Sequence, residues 1–481
     1  MSSPFNEKRY NELLEGLEIS EVLLSDIKKD NEEFRIDDGY YKKEYLDIYK
    51  KINNYVQLKD IVSMSDVSSN GCFQFVQDTL NDDYPKVIPY IRSGNVGETF
   101  INSNDLIKIS QEAHSVLKLS VTKLYDVMMA RKGKIGGASI ITERETNYNC
   151  NENVIKLSIE DKEKYNPFYF TAFFNSKYGL KQVERLSTGN VQPWLSIFQI
   201  RKLRLAILPL EFQKEIEKIL IGAHEKLVKS EELFICAETS LLKVLSINNW
   251  HPSNLSSNVK SMKESFQATG RLDAEYYQTK YDELFEKLSR FDYDKLSDIV
   301  SIKKSVEPGS DAYQDNGIPF VRVSDLSKFG ITKPDIFLSS KDYDVEKLKP
   351  RKDTILLSKD GSVGISYKVD EDLNCITSGA ILHLNVYNSD YNPDYLTLVL
   401  NSIVVQMQAS RDAGGSIIQH WKPSEIEEVI IPKLPLDIQD DLASKIQESF
   451  RLRNESKSLL EDAIKMVENE INNLTGALSP L

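Results

Sequence analysis

Along residues 211–246 the apolar and small side chains fall at Ile216, Leu220, Ala223, Leu227, Ser230, Phe234, Ala237, Leu241 and Val244, in alternating steps of four and three. A period of 3.5 residues predicts a single long helix whose narrow seam faces another helix. At 1.5 Å per residue it spans about 54 Å. Shifted by 226 positions the pattern returns as Leu442, Ile446, Ser449, Arg453, Ser456, Leu460, Ala463, Val467 and Glu470, continued by Ile471 and Leu474. Arg453 and Glu470 interrupt it. Two such helices in one chain predict an antiparallel coiled coil.

The segments before the two helices repeat as well. Arg35-Ile36-Asp37 with Tyr40-Tyr41 recurs as Arg271-Leu272-Asp273 with Tyr276-Tyr277, and Tyr90-Ile91-Arg92 recurs as Phe320-Val321-Arg322. From Asn166-Pro167 and Asn392-Pro393 onward the offset stays at 226, through Arg185 and Arg411 to Pro209 and Pro435. Earlier drift places the insertions in the first part of each copy, where loops differ and loops carry function. Each copy opens with a helix, at 41–51 and 276–289. Short strands follow at 87–92, 127–131 and 154–159, and at 318–323, 354–358 and 379–386, punctuated by Gly, Pro, Asn and Asp. Helices begin at the Asn-Pro pairs, where proline suits the first turn. Glycine loops follow at 186–190 and 413–416, then a last strand. The expected fold is α/β (α+β) with a mixed or antiparallel sheet. Residues 5–34 predict an acidic amphipathic helix carrying Tyr10, Leu13, Leu14, Leu17, Val22 and Leu23. The Ser/Asn-rich stretch 246–260 reads as a linker.

Composition narrows the function. The chain has 481 residues, 41% hydrophobic and 28% charged, as expected for a globular protein of several domains. It carries neither a run of about 18 apolar residues nor a signal-like N-terminus, so a cytoplasmic protein without membrane contact is expected. The four cysteines are scattered and the five histidines form no HxxxH pair, which predicts free, buried cysteines and no metal. The net charge of −13 disfavours the whole chain as a nonspecific polyanion binder. It is unevenly spread. Residues 35–210 hold 24 Lys and Arg against 20 Asp and Glu, whereas residues 271–436 hold 20 against 27.

Catalytic signatures are weak. Asn166-Pro167-Phe168-Tyr169 resembles the Asn-Pro-Pro-Tyr element of adenine methyltransferases, but its counterpart reads Asn392-Pro393-Asp394-Tyr395. A helix start explains both. Gly133-Lys134-Ile135-Gly136 is not a phosphate-cradling loop, and no nuclease or hydrolase constellation stands out. No catalytic residue and no cofactor is expected. A duplicated domain on a stiff spacer suits a two-part ligand such as split DNA half-sites. Arg, Lys, Asn, Gln, Ser and His in turns can hold phosphates or read base edges. The first copy offers Arg92, Ser93, Asn95, Arg131, Lys132, Lys134 and Asn190. The second offers Arg322, Ser324, Lys359, Ser362, Ser416, Gln419 and His420. The weighed alternatives are an adaptor bridging two proteins and a self-contained DNA methyltransferase.

The duplicated layout resembles the specificity subunit of type I restriction-modification systems over nearly the whole chain. The residues that carry the resemblance are Gly-Arg-Leu-Asp-Ala-Glu-Tyr-Tyr at 270–277, the strand and glycine turn at 355–364, Gly-Gly-Ser-Ile-Ile-Gln-His at 414–420, and Ile-Ile-Pro at 430–432 leading to Pro435. The first copy matches more loosely at 35–41 and 189–192. The resemblance implies two target-recognition domains, each reading half of a bipartite site in double-stranded DNA. It implies helices that set the spacer and dock methyltransferase subunits, two of them, with a restriction (endonuclease/translocase) subunit as a further partner. Chemistry then belongs to other chains. The expected division is a helical segment at 1–34, recognition domains at 35–210 and 271–436, spacer helices at 211–247 and 437–475, and a linker at 248–270.

Overall fold

The computed structural model describes residues 6–17, 20–30, 34–103, 105–133, 135–189, 192–255, 257–415 and 418–476. The chain forms two compact units: residues 1–226 with 455–481, and residues 227–454. Each unit therefore takes about half of each long helix.

The first unit is built on a mixed five-stranded sheet. Val62–Ser65, Val154–Ile159, Val127–Ala130 and Ala138–Ile140 run antiparallel in that order, and Thr99–Phe100 joins the last in parallel. A second sheet sets Lys86–Ile91 between Ile107–Ser110 and Asn149–Cys150. The strand Val127–Ala130 is wholly buried, which explains its unbroken apolar run. It ends before Arg131, whose side chain turns to a carboxylate instead.

The second unit repeats this plan. Val300–Lys304, Ile381–Val386, Ile355–Ser358 and Ser366–Lys368 form an antiparallel sheet, and Ile318–Val321 lies between Phe337–Leu338 and Ile376–Thr377. The last strands pair in the same register: Tyr55 opposite Ala206 in one unit, Tyr293 opposite Pro432 in the other.

Matching side chains perform matching structural tasks. Asn166 caps Pro167–Asn175 by accepting from the Phe168 and Tyr169 amides at 2.9 and 3.2 Å, and Asn392 caps Pro393–Asn401 by accepting from Asp394 at 2.9 Å. Phe168 and Tyr169 are buried, so this stretch is a helix start and core. Gln182 accepts from the Arg204 amide and donates to its carbonyl, as Gln408 does for Ile430, closing the free edge of the last strand. Arg35 forks onto Asp37 and donates to the carbonyls of Arg185, Leu186 and Ser187 at a helix C-terminus. Arg271 does the same with Asp273 and the Asp412 carbonyl. A cation there satisfies orphan carbonyls and the negative end of the helix dipole.

The long helices are Leu210–Val244 and Leu436–Gly476. They pack against each other within each unit, the beginning of one beside the end of the other, as an antiparallel pair. In the first unit Ser456 Oγ donates to the Ala223 carbonyl at 2.7 Å and Lys226 pairs with Glu455 at 2.6 Å. In the second, Ser449 Oγ donates to the Ser230 carbonyl at 2.7 Å. The small residues of the seam let backbones approach closely enough for these bonds. Ile216, Leu220, Ala223, Ser230, Phe234, Ala237 and Leu241 are all buried. The seam then shifts by one residue, with Val244 exposed and Leu245 buried. Leu474 is exposed as well. Arg453, an interruption in the pattern, lies 3.9 Å from the Phe329 ring centroid, and burial lowers its pKa.

Three other expectations need correction. The N-terminal segment forms two short helices, Glu7–Leu14 and Leu24–Asp30, broken where Gly16 takes a left-handed φ of +80°, and Leu13, Leu17 and Leu23 are exposed. The stretch 248–270 is partly structured: it ends in the helix Phe266–Thr269, and Trp250 donates to Glu283. All four cysteines are free, but only Cys150 and Cys375 are buried. No helix among the described residues is long and apolar enough to cross a membrane.

Candidate nucleic-acid interface

In each unit the central strand runs into a glycine turn that is clamped to the glycine loop following the helix pair. The Leu195 amide donates to the Arg131 carbonyl at 2.8 Å, and the Trp421 amide to the Lys359 carbonyl at 2.8 Å. Thr188 and Trp194 exchange backbone bonds of 3.0 and 2.9 Å, and Gly414 and His420 exchange bonds of 3.1 and 2.7 Å. Isolated bridges join Lys132 to Trp194 and Asp360 to His420. The outcome is a short ladder of two loops, built twice.

Glycine is required at two of its positions. Gly189 has φ +98°, and an added Cβ would sit 2.6 Å from the Gln192 carbonyl oxygen. Gly415 has φ +122°, and its Cβ would sit 2.1 Å from the Ile418 oxygen. The loops therefore close on themselves with no room for a side chain.

The side chains singled out from sequence divide into three groups. Exposed on the ladders are Lys132 in the first unit and Ser362, Gln419 and His420 in the second. Lys132 makes no ion pair among the described residues. His420 Nδ1 lies 2.8 Å from Asp360 Oδ1, so Asp360 orients the ring; residue type gave no sign of this partner. Trp194, 42% exposed beside Lys132, was also missed, since an isolated tryptophan suggests core.

The second group lies on an equivalent turn in each copy. Arg92 is exposed and donates to the Asp105 carbonyl at 3.0 Å, with half-buried Ser93 next to it. This turn abuts the first ladder, because a Cβ on Gly133 would lie 3.8 Å from Ser93 Oγ. Arg322 bonds Asp335 at 2.6 Å, and exposed Ser324 donates to Asp325 at 3.3 Å.

The side chains of the third group are engaged inside the fold. Asn95 is buried: its Oδ1 accepts from the Arg92 amide at 2.9 Å and its Nδ2 donates to the Asn102 carbonyl at 3.0 Å. Arg131 donates to the Glu152 carbonyl at 2.7 Å and pairs with fully buried Asp66 at 3.0 Å. Lys359 is buried against Asp360. These polar heads already have partners within their own domain. Lys134, Asn190 and Ser416 lie outside the described residues.

A family model described as type I restriction modification DNA specificity domain matches residues 50–229 and 289–466, once for each repeat. The chain belongs to that family. It is the DNA specificity subunit of a type I restriction-modification system, in a family that is not catalytic, and it assembles into that system's complex. Among solved structures it is similar to the type I restriction-modification S subunit from M. genitalium, at 13% identity and TM-score 0.40, covering 86% of this chain and 95% of that one. It is similar to the HsdS subunit from Thermoanaerobacter tengcongensis at 14% identity and TM-score 0.28, covering 86% and 95%. A chain from a study of complex assembly and conformational transition of the type I system matches at 14% and TM-score 0.28, covering 87% and 96%. In this specificity subunit, then, the twice-built loop ladder is the candidate reading surface. No cluster of His, Cys, Asp and Glu suited to a metal occurs among the described residues.

Proposed function

We propose that each repeat reads one half of a bipartite site in duplex DNA through its loop ladder and the adjoining turn, inside the cytoplasm. One observation carries this reading. The same backbone ladder is built in both units, yet its exposed side chains differ, with Lys132 and Trp194 in one and Ser362, Gln419 and His420 in the other. A constant frame with variable tips is what two readers of different half-sites need, since base edges are discriminated by the side chains that reach them. The antiparallel helices fix the spacer between the half-sites and offer their outer faces to two methyltransferase subunits. A restriction subunit adds cleavage where the system includes one. The test is selection from a random duplex pool by the chain assembled with its methyltransferase subunits. A split consensus with a constant spacer is expected, and recovery of no split consensus overturns the reading. Matched seven-residue insertions in both helices, about 10 Å of added length, should lengthen the spacer by about three base pairs.

A further inference from the structure

A cavity of about 1060 Å³ opens on the first unit between the helix Lys43–Lys51, the turn Leu58–Asp60 and the segment from Ile197–Arg201 to Arg204–Ala206. It uses none of the residues proposed above to read bases. Six cations line it, Lys50, Lys59, Arg185, Arg201, Lys202 and Arg204, against two carboxylates, Glu21 and Asp60.

The second unit builds the same elements in the same register, so the positions can be compared one by one. In place of the six cations stand Glu286, Ser297, Arg411, Glu427, Glu428 and Ile430. Only one cation survives, and its task in both copies is packing. Arg185 lies 4.3 Å from the Tyr40 ring centroid and 4.2 Å from that of Tyr49; Arg411 lies 4.9 Å from Tyr276 and 4.5 Å from Phe285. The packing is therefore retained while the charge is inverted. Three of the six cationic positions become acidic on a framework that is otherwise kept, so the two surfaces suit ligands of opposite charge.

We infer that this groove of the first domain holds the sugar-phosphate backbone of duplex DNA, and that the second domain lacks such a site on its matching surface. The inference rests on the DNA-reading function proposed above. The aromatic floor decides between a duplex and stacked single-stranded bases. Single-strand binders offer free ring faces. Here cations already lie over the rings, with Arg204 4.6 Å from the Tyr49 centroid and Lys202 4.1 Å from that of Phe198. What remains on offer is positive charge, which suits phosphates and carries no sequence information. Lys59 and Arg201 are exposed and make no ion pair among the described residues. The inference also accounts for a DNA-specificity chain whose second repeat is net acidic: phosphate attraction is concentrated in the first.

The test uses the full chain assembled with its methyltransferase subunits and a short labelled duplex, titrated between about 50 and 200 mM salt. Two phosphate contacts contribute about 1.8 to the slope of log affinity against log salt. Lys59→Gln with Arg201→Gln should remove that much, so affinity falls about twelve-fold less steeply across the range. Preference for the selected site over random duplex should be unchanged, as should the thermal midpoint. Lys341→Gln with Lys352→Gln, an equal charge change at exposed residues of the second domain outside its ladder and adjoining turn, should leave the slope alone. An unchanged slope in the groove variant, or an equal fall in the control, overturns the inference. So does loss of methyltransferase subunits without a slope change, which would assign the groove to an acidic protein face. A wild-type complex without salt-dependent duplex affinity would overturn the DNA-reading function along with it.

Discussion

Replacing Gly415 by alanine tests whether the loop ladder reads DNA. The new methyl would stand 2.1 Å from the Ile418 carbonyl oxygen, at a φ of +122° that only glycine adopts readily. Ordinary contact needs more than 3 Å, so the loop must move by about 1 Å or more. Backbone strain of this kind costs about 1–3 kcal/mol. Relief comes by opening the Gly414–His420 exchange, two backbone bonds of 3.1 and 2.7 Å, each contributing about 1 kcal/mol. Either route displaces Gln419 and His420, the exposed tips. A loss of about 1.4–3 kcal/mol in discrimination is about ten- to a hundred-fold per affected position. Gly189→Ala, with its 2.6 Å clash against the Gln192 oxygen, perturbs only the first ladder. The assay is duplex selection followed by competition binding with each half-site randomised in turn. Gly415→Ala should degrade one half of the consensus, Gly189→Ala the other, and neither should alter the spacer. Both variants degrading the same half, or neither degrading any, would refute the assignment of reading to these loops.

Three further outcomes are expected. Gly222 lies within a long helix with nothing inside 4 Å of an added Cβ, so Gly222→Ala should stabilise the chain by about 0.5–1 kcal/mol in urea unfolding. Ser456 is buried and bonds the Ala223 carbonyl across the helix pair; Ser456→Ala should cost about 1 kcal/mol, and Ser456→Leu, which forces the helices apart, about 1–3 kcal/mol or more. Burial first, and Lys303 second, lower the pKa of His383 to about 4, and its Nε2 lies 2.7 Å from Thr377 Oγ1. Because the folded state favours the neutral ring, the unfolded chain binds the extra proton. Stability from this site is then complete above about pH 6.5 and lost as pH falls towards 4, by about 3 kcal/mol; the wild-type minus His383→Gln difference across that range measures it.

Periodicity made the long helices legible, because a seam of small and apolar residues every 3.5 positions has few other uses. The repeat made the topology legible, since two sequences sharing Asn caps, edge-closing glutamines and terminal prolines must solve the same folding problem. The seam's last turn was not legible: Val244 and Leu245 are equally apolar, and only packing decides which is buried. The N-terminal helix misled because the apolar spacing continues through Gly16, where the backbone turns left-handed. At the site, turn glycines were readable from their spacing, but the fate of polar heads was not. An asparagine can close a turn or meet a base with the same atoms, and Asn95 closes a turn. Arg131 reaches Asp66, 65 positions away in the chain, which no local pattern reveals, and Lys359 turns back to neighbouring Asp360.

Comparing the two copies separates scaffold from reader more sharply than either copy alone. Tyr169 donates to the Ala206 carbonyl and Tyr395 to the Pro432 carbonyl, both at 2.7 Å, while Gln213 and Gln439 accept from the Asn166 and Asn392 amides at 3.0 and 2.9 Å. These atoms have stayed in place although most of the surrounding residues differ, so the frame tolerates wide change provided its buried polar groups stay satisfied. The ladder tips changed, and so did five of the six cations around the first cavity, although Arg204 packs over Tyr49 in the first copy. In the frame, a buried polar group left unpaired would cost about 1–3 kcal/mol. At the tips, a change of side chain costs the fold little and alters what the surface meets. That inequality of cost lets one backbone carry two different sets of exposed side chains.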